Sequence, residues 1–178
     1  SSISQSAVAF FGVYYKLQTF IYMPTSGIVQ GMRPLMSYNY GAKLKERIHQ
    51  ILKVSGLVIA AILGAGTLLF FIVPNVLLSL FNASSGMLEI GETGLRILSL
   101  SFIVSSFGVL MSGVFEALGL GKYSLIVSLL RQLLITVPLA YILLNIMGIE
   151  GIWLSFVIAE AIASIVAYIL YHKKFKTI

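Results

Sequence analysis

The sequence predicts an all-α integral membrane protein with five transmembrane helices, and three observations carry this. Of the 178 residues, 58% are hydrophobic and only 10% charged, whereas about 25% of a soluble domain is charged. The apolar residues gather into runs close to the ~20 that a helix needs to cross a bilayer. The connections between runs are short and carry helix breakers. The expected spans are 6–38, 50–74, 94–118, 123–146 and 151–171, in one domain without repeats or linkers. The chain opens without Met, and SSISQSAV lacks the basic start and cleavage site of a signal peptide. A piece of a longer protein is therefore expected.

The first segment holds the most information. Lys16, Thr19, Met23, Ser26, Gln30, Arg33 and Ser37 recur at steps of three and four, which puts them on one stripe of a helix. Lipid cannot satisfy such a stripe, so it faces protein or water. The sequence allows a cavity-lining helix or a polar seam against a neighbouring helix. A span of ~32 residues at ~1.5 Å each overshoots a ~30 Å hydrocarbon core, so the helix tilts, protrudes or bends. Pro24 removes one backbone bond and is the expected bend. Gly27 and Gly31 form a GxxxG pair suited to close approach of another helix.

Charge sets the expected topology. Eight of the twelve Lys and Arg fall in the 39–53 loop, at Lys122, and at Lys173, Lys174 and Lys176, all on one side if loops alternate. The opposite loops carry Glu89, Glu92 and Glu150. The positive-inside rule makes the basic side cytoplasmic, C-terminus included. The net charge of +6 thus reads as topology, not as affinity for nucleic acid.

Segment 50–74 is greasy, with a small-residue seam at Gly56, Ala60 and Gly64. Residues 75–90 read as a turn region with an amphipathic piece (Val76, Leu77, Leu80, Phe81) lying at the interface. Segment 94–118 has a second stripe, Ser101, Ser105, Gly108, Ser112 and Glu116, and Arg96 is placed to snorkel to headgroups. Segment 123–146 carries Ser124, Ser128, Arg131, Gln132 and Thr136, with Pro138 as a second bend. An unpaired Arg131 facing lipid would cost about 2.5–3.5 kcal/mol. It pairs with Glu116 or Glu160, or reaches the phosphates, and the sequence leaves the three open. In segment 151–171, Glu160 lies mid-membrane beside a seam of Ser155, Ala159, Ala163 and Ala167. A mid-membrane Glu carries protons, ligates a cation or pairs with a base. The seam is expected to need a helix from outside the chain.

Catalytic signals are missing: GxSxG, HExxH, Walker A and aspartate are all absent. With no cysteine there is no disulfide or thiolate site, and His49 and His172 do not share a membrane-embedded metal site. No enzyme, no catalytic residue and no metal are expected.

Three stretches carry a family resemblance. Gln30–Lys43 (QGMRPLMSYNYGAK), followed by a basic loop and a new span, resembles the cytoplasmic end of the second helix in each lobe of multidrug and toxic compound extrusion (MATE) transporters. Phe115–Leu143 and Gly148–Leu170 are similar to the last helices of that family's C-terminal lobe. The resemblance implies twelve helices in two six-helix lobes around a cavity. This chain would supply helices eight to twelve, without the N-terminal lobe and one preceding helix. It also implies export of small organic cations across the cell membrane by alternating access, driven by a proton or sodium gradient and no other cofactor. Its partners are then the rest of the transporter and the bilayer. The substrate path would include Lys16, Met23, Ser26, Gln30, Arg33 and Tyr141. Glu160, Glu116 and Arg131 are the ion-pair or coupling candidates. Some members bind the coupling cation through an acid early in the tenth helix, and the matching region, Ser105–Phe107, has none here. Two other readings stand beside this one: a flippase for lipid-linked oligosaccharides in the same superfamily, using Lys16, Arg33 and Arg131, and a non-transporting membrane scaffold.

Overall fold

The computed structural model describes residues 2–175, so Lys176 of the basic tail lies outside it. All the regular structure described is helical: α1 (Ser2–Gly41), α2 (Lys45–Ile72), the short α3 (Pro74–Ser79), α4 (Ser85–Ala117), α5 (Gly121–Leu129), a π-helical segment (Leu130–Leu134), α6 (Thr136–Met147) and α7 (Ile149–Phe175). Four units are long and apolar enough to cross a membrane: α2, α4, Gly121–Met147 and α7. The first predicted span, α1, is the longest helix at 40 residues, but its polar residues hold it below that level of apolarity.

Several boundaries differ from expectation for physical reasons. The loop expected at 39–53 shrinks to a turn, because α2 begins at Lys45. Arg47, His49 and Lys53 therefore sit on the first turns of a helix. Likewise, α4 starts at Ser85, well before the expected residue 94. Ser84 is its N-cap, its side chain accepting from the Met87 N–H at 3.3 Å. Glu89 and Glu92 interrupt the apolar run there and so imitate a loop, although both lie within α4, beyond its first turn. Arg96 is engaged within the chain. It pairs with Glu92 at 2.9 Å and donates to the Phe71 carbonyl at the end of α2 at 3.2 Å.

The core is organised around α4, which packs against α1, α2 and α7. Trp153, Phe10 and Phe102 are fully buried. Trp153 meets the rings of Phe10 and Phe11 edge-on, at 4.9 and 4.6 Å between centroids. Small residues allow this approach: a Cβ on Gly94 would stand 2.7 Å from the Phe10 ring. Gly56 and Gly64, predicted as a seam, do face α4, where Leu110 and Ile103 would lie 3.1 and 3.5 Å from an added Cβ. The seam at Ser155, Ala159, Ala163 and Ala167 is buried within this chain and needs no outside helix. Its neighbour Ser164 donates to the Val104 carbonyl of α4 at 3.0 Å. By contrast, nothing lies within 4 Å of an added Cβ at Gly27 or Gly31, so none of the described helices uses the GxxxG pair.

Both Pro24 and Pro34 lie inside α1, which continues through them. Each removes one donor, freeing the carbonyls of Phe20 and Gln30. The interruption in the fourth span falls at the π segment instead of at Pro138. Here the Ile135 N–H reaches back five residues to the Leu130 carbonyl at 3.1 Å. Pro138 sits in the first turn of α6, where it cannot donate to Leu134.

Candidate functional site

A cavity of about 560 Å³ opens between α1, the π segment and α7. Its α1 wall includes Thr19, Met23, Ser26 and Gln30 from the predicted stripe, joined by Tyr15, Gln18 and Tyr22. Across from them stand Arg131 and Gln132 of the π segment, with Phe156 and Glu160 of α7. The opposite face of α1 (Phe10, Tyr14, Leu17, Met32, Met36) is buried in the core. Helical geometry thus divides α1 lengthwise, because the 3.6-residue repeat sends the polar set and the packing set to different sides.

Glu160 is 9% exposed. The structure resolves the choice left by the sequence: Arg131 Nε lies 3.2 Å from Glu160 Oε1. The π segment presents Arg131 at this point, and the Thr136 hydroxyl donates to the Arg131 carbonyl at 2.5 Å. Such widened turns occur often at functional sites. A second, smaller cleft of about 320 Å³ shares Tyr22, Ser26, Gln30, Arg131 and Gln132 with the main cavity and extends it to Arg33, Ser112 and Glu116. There the Arg33 guanidinium pairs with Glu116 Oε2, while Ser124 donates to Glu116 Oε1 at 2.7 Å. Both partners of this pair remain more than one-third exposed, so it contributes little to stability. It does tie α1, α4 and α5 together at one end.

The remaining candidates stand elsewhere. Lys16 is exposed and lines neither cleft. Tyr141 is exposed on α6, away from both. Sequence reasoning missed Tyr15, Gln18, Tyr22 and Phe156. The two tyrosines share the three-to-four spacing with Thr19 and Ser26, but their apolar rings counted as background. Tyr22 also fixes α1 to α4, its hydroxyl lying 2.6 Å from Ser105 Oγ.

Cysteines placed along α1 test this division. Met23→Cys and Ser26→Cys in the full-length protein are expected to react with a water-soluble thiol reagent about tenfold or more faster than Met32→Cys and Met36→Cys, since reaction requires a hydrated thiolate. Uniform protection of all four would place the stripe against a partner helix.

Long apolar helices packed around a partly polar cavity define a multi-pass membrane protein. The sequence matches the MatE family over residues 1–142, and the chain belongs to that family. It is 26% identical over 164 residues to the multidrug export protein MepA of Staphylococcus saprophyticus, and 25% identical to MepA of Staphylococcus aureus (strain N315). Each alignment covers 92% of this chain and 36% of the relative, so the chain spans about a third of the curated proteins it matches. Among solved structures, the MATE multidrug transporter DinF-BH, solved as a complex, is 31% identical, with a TM-score of 0.82 over 92% of this chain and 36% of that one. An outward-facing MATE family transporter gives a TM-score of 0.88 at 22% identity, covering 98% of this chain and 41% of that one. An inward-facing one gives the same TM-score, with 98% and 42% coverage.

Proposed function

We propose that this chain is most of the C-terminal lobe, helices eight to twelve, of a transporter that exports amphiphilic organic cations by alternating access. A proton or sodium gradient drives the exchange, with no cofactor and no covalent chemistry. The observation that carries this reading is the cavity itself. Its volume lies in the range of drug-sized sites, and aromatic and Met side chains beside a few polar groups suit varied amphiphiles. The relatives support it, since MepA is a multidrug export protein and DinF-BH a multidrug transporter. Equal likeness to an outward-facing and an inward-facing transporter supports a lobe that moves as a unit. Lys122 and Lys174 both lie over the Tyr123 ring, at 5.2 and 5.8 Å, so the basic ends of α5 and α7 meet. That supports a cytoplasmic C-terminus in the cell membrane. Arg33 and Arg131 each face a glutamate, which weakens the case for a flippase needing free cations for pyrophosphate.

The test is transport by the full-length protein reconstituted in vesicles. A cationic rhodamine ester is expected to move against an imposed proton or sodium gradient. No movement under either gradient overturns the export reading.

A further inference from the structure

The basic ends of α5 and α7 meet at one tyrosine. Lys122 lies in the first turn of α5 and Lys174 in the last turn of α7, and their Nζ atoms stand 5.2 and 5.8 Å from the centre of the Tyr123 ring. The ring attracts each cation through its negative face, but it carries no net charge. Two like charges thus converge without an acid to neutralise them. Among the described residues, neither lysine takes part in an ion pair. Glu116, the acid that touches α5, has both oxygens engaged, one by Arg33 and the other by Ser124. Lys173 stands exposed beside Lys174 and adds a third positive charge.

The surface next to these charges says which anion fits. Each helix belongs to a unit long and apolar enough to cross a membrane, so the lysines fall where hydrocarbon gives way to headgroups. On α5, Leu125 and Leu129 follow Lys122 at helical spacing, and both are exposed. On α7, Ile165, Ile169 and Lys173 recur every four residues, and all three are exposed. Two open apolar stripes therefore run up to one cluster of positive charge. A free phosphate would use the charge alone. An anionic phospholipid uses both, its phosphate between the lysines and its acyl chains along the stripes.

We infer that this end of α5 and α7 is a binding site for an anionic phospholipid, which bridges Lys122 and Lys174 and fastens the last helix to α5. The site does not depend on which cargo is exported.

The test uses the full-length protein, purified in a neutral detergent and titrated with phosphatidylglycerol or with phosphatidylcholine of the same chain length. Native mass spectrometry reads the first lipid bound. Phosphatidylglycerol is expected to bind about tenfold or more tightly than phosphatidylcholine. Lys122→Gln and Lys174→Gln each weaken its binding about fivefold, and the double variant about twenty-fivefold. Lys45→Gln with Lys53→Gln, on α2, leaves it unchanged. Equal affinity for the two lipids, binding of neither, or full binding of phosphatidylglycerol by the Lys122→Gln, Lys174→Gln variant overturns the inference. An equal loss in the α2 variant means a diffuse basic surface and also overturns it. So does displacement of the lipid by millimolar inorganic phosphate beyond that by sodium chloride of the same ionic strength, which would make the site one for free phosphate.

Discussion

Glu160→Ala is expected to destabilise the full-length protein by about 3 kcal/mol, at the low end of the range for breaking a buried pair because some exposure remains. The cost is mainly the stranded Arg131, whose side chain keeps only 15% of its surface exposed. Replacing both residues with apolar ones of similar volume is therefore expected to cost less than the single change, within about 1 kcal/mol of the unmodified protein. Thermal melting of the purified single and double variants decides this. A double variant that melts below both singles would mean that the two residues stabilise the fold independently.

Trp153→Ala is expected to have the other large effect, about 3–5 kcal/mol, because a fully buried aromatic leaves a cavity that rigid neighbours only partly fill. Trp153 sits where α1, α4 and α7 converge: Phe10 and Phe11 lie against it, and its indole nitrogen would be 3.3 Å from a Cβ on Gly94. Phe10→Ala empties the same region, so the double variant should lose less than the sum of the singles, as thermal melting of the three proteins would read. Additive losses would show that α1 and α7 are held to α4 separately.

The spans were legible in the sequence because about 20 apolar residues in a row admit few other structures. The inward face of α1 was legible in part: Thr19, Ser26 and Gln30 announce themselves as polar residues at helical spacing, with Met23 in step between them. Tyr15 and Tyr22 share that face but pass for lipid-facing aromatics, since a tyrosine has an apolar body and one polar tip. The partner of Arg131 could not be read, because Glu116 and Glu160 are both acids on neighbouring helices and only three-dimensional placement distinguishes them. The structure sends Glu116 to Arg33 and Glu160 to Arg131. The π turn was equally hidden. Pro138 signalled a disturbed helix, but the widening that accommodates it lies one turn earlier, around Arg131 itself.

The three Arg–Glu pairs also have an electrical meaning. Moving one elementary charge through a membrane potential of about 100 mV involves about 2.3 kcal/mol of work. Arg33, Arg96 and Arg131 each travel with a glutamate whenever the helices move together. A paired unit carries no net charge through the field, so the voltage exerts no net force on it. Reorienting these helices would then be electrically silent at those positions. Any voltage dependence in the transport cycle would enter with the cargo, the driving ion, or charges outside these pairs, such as Lys16.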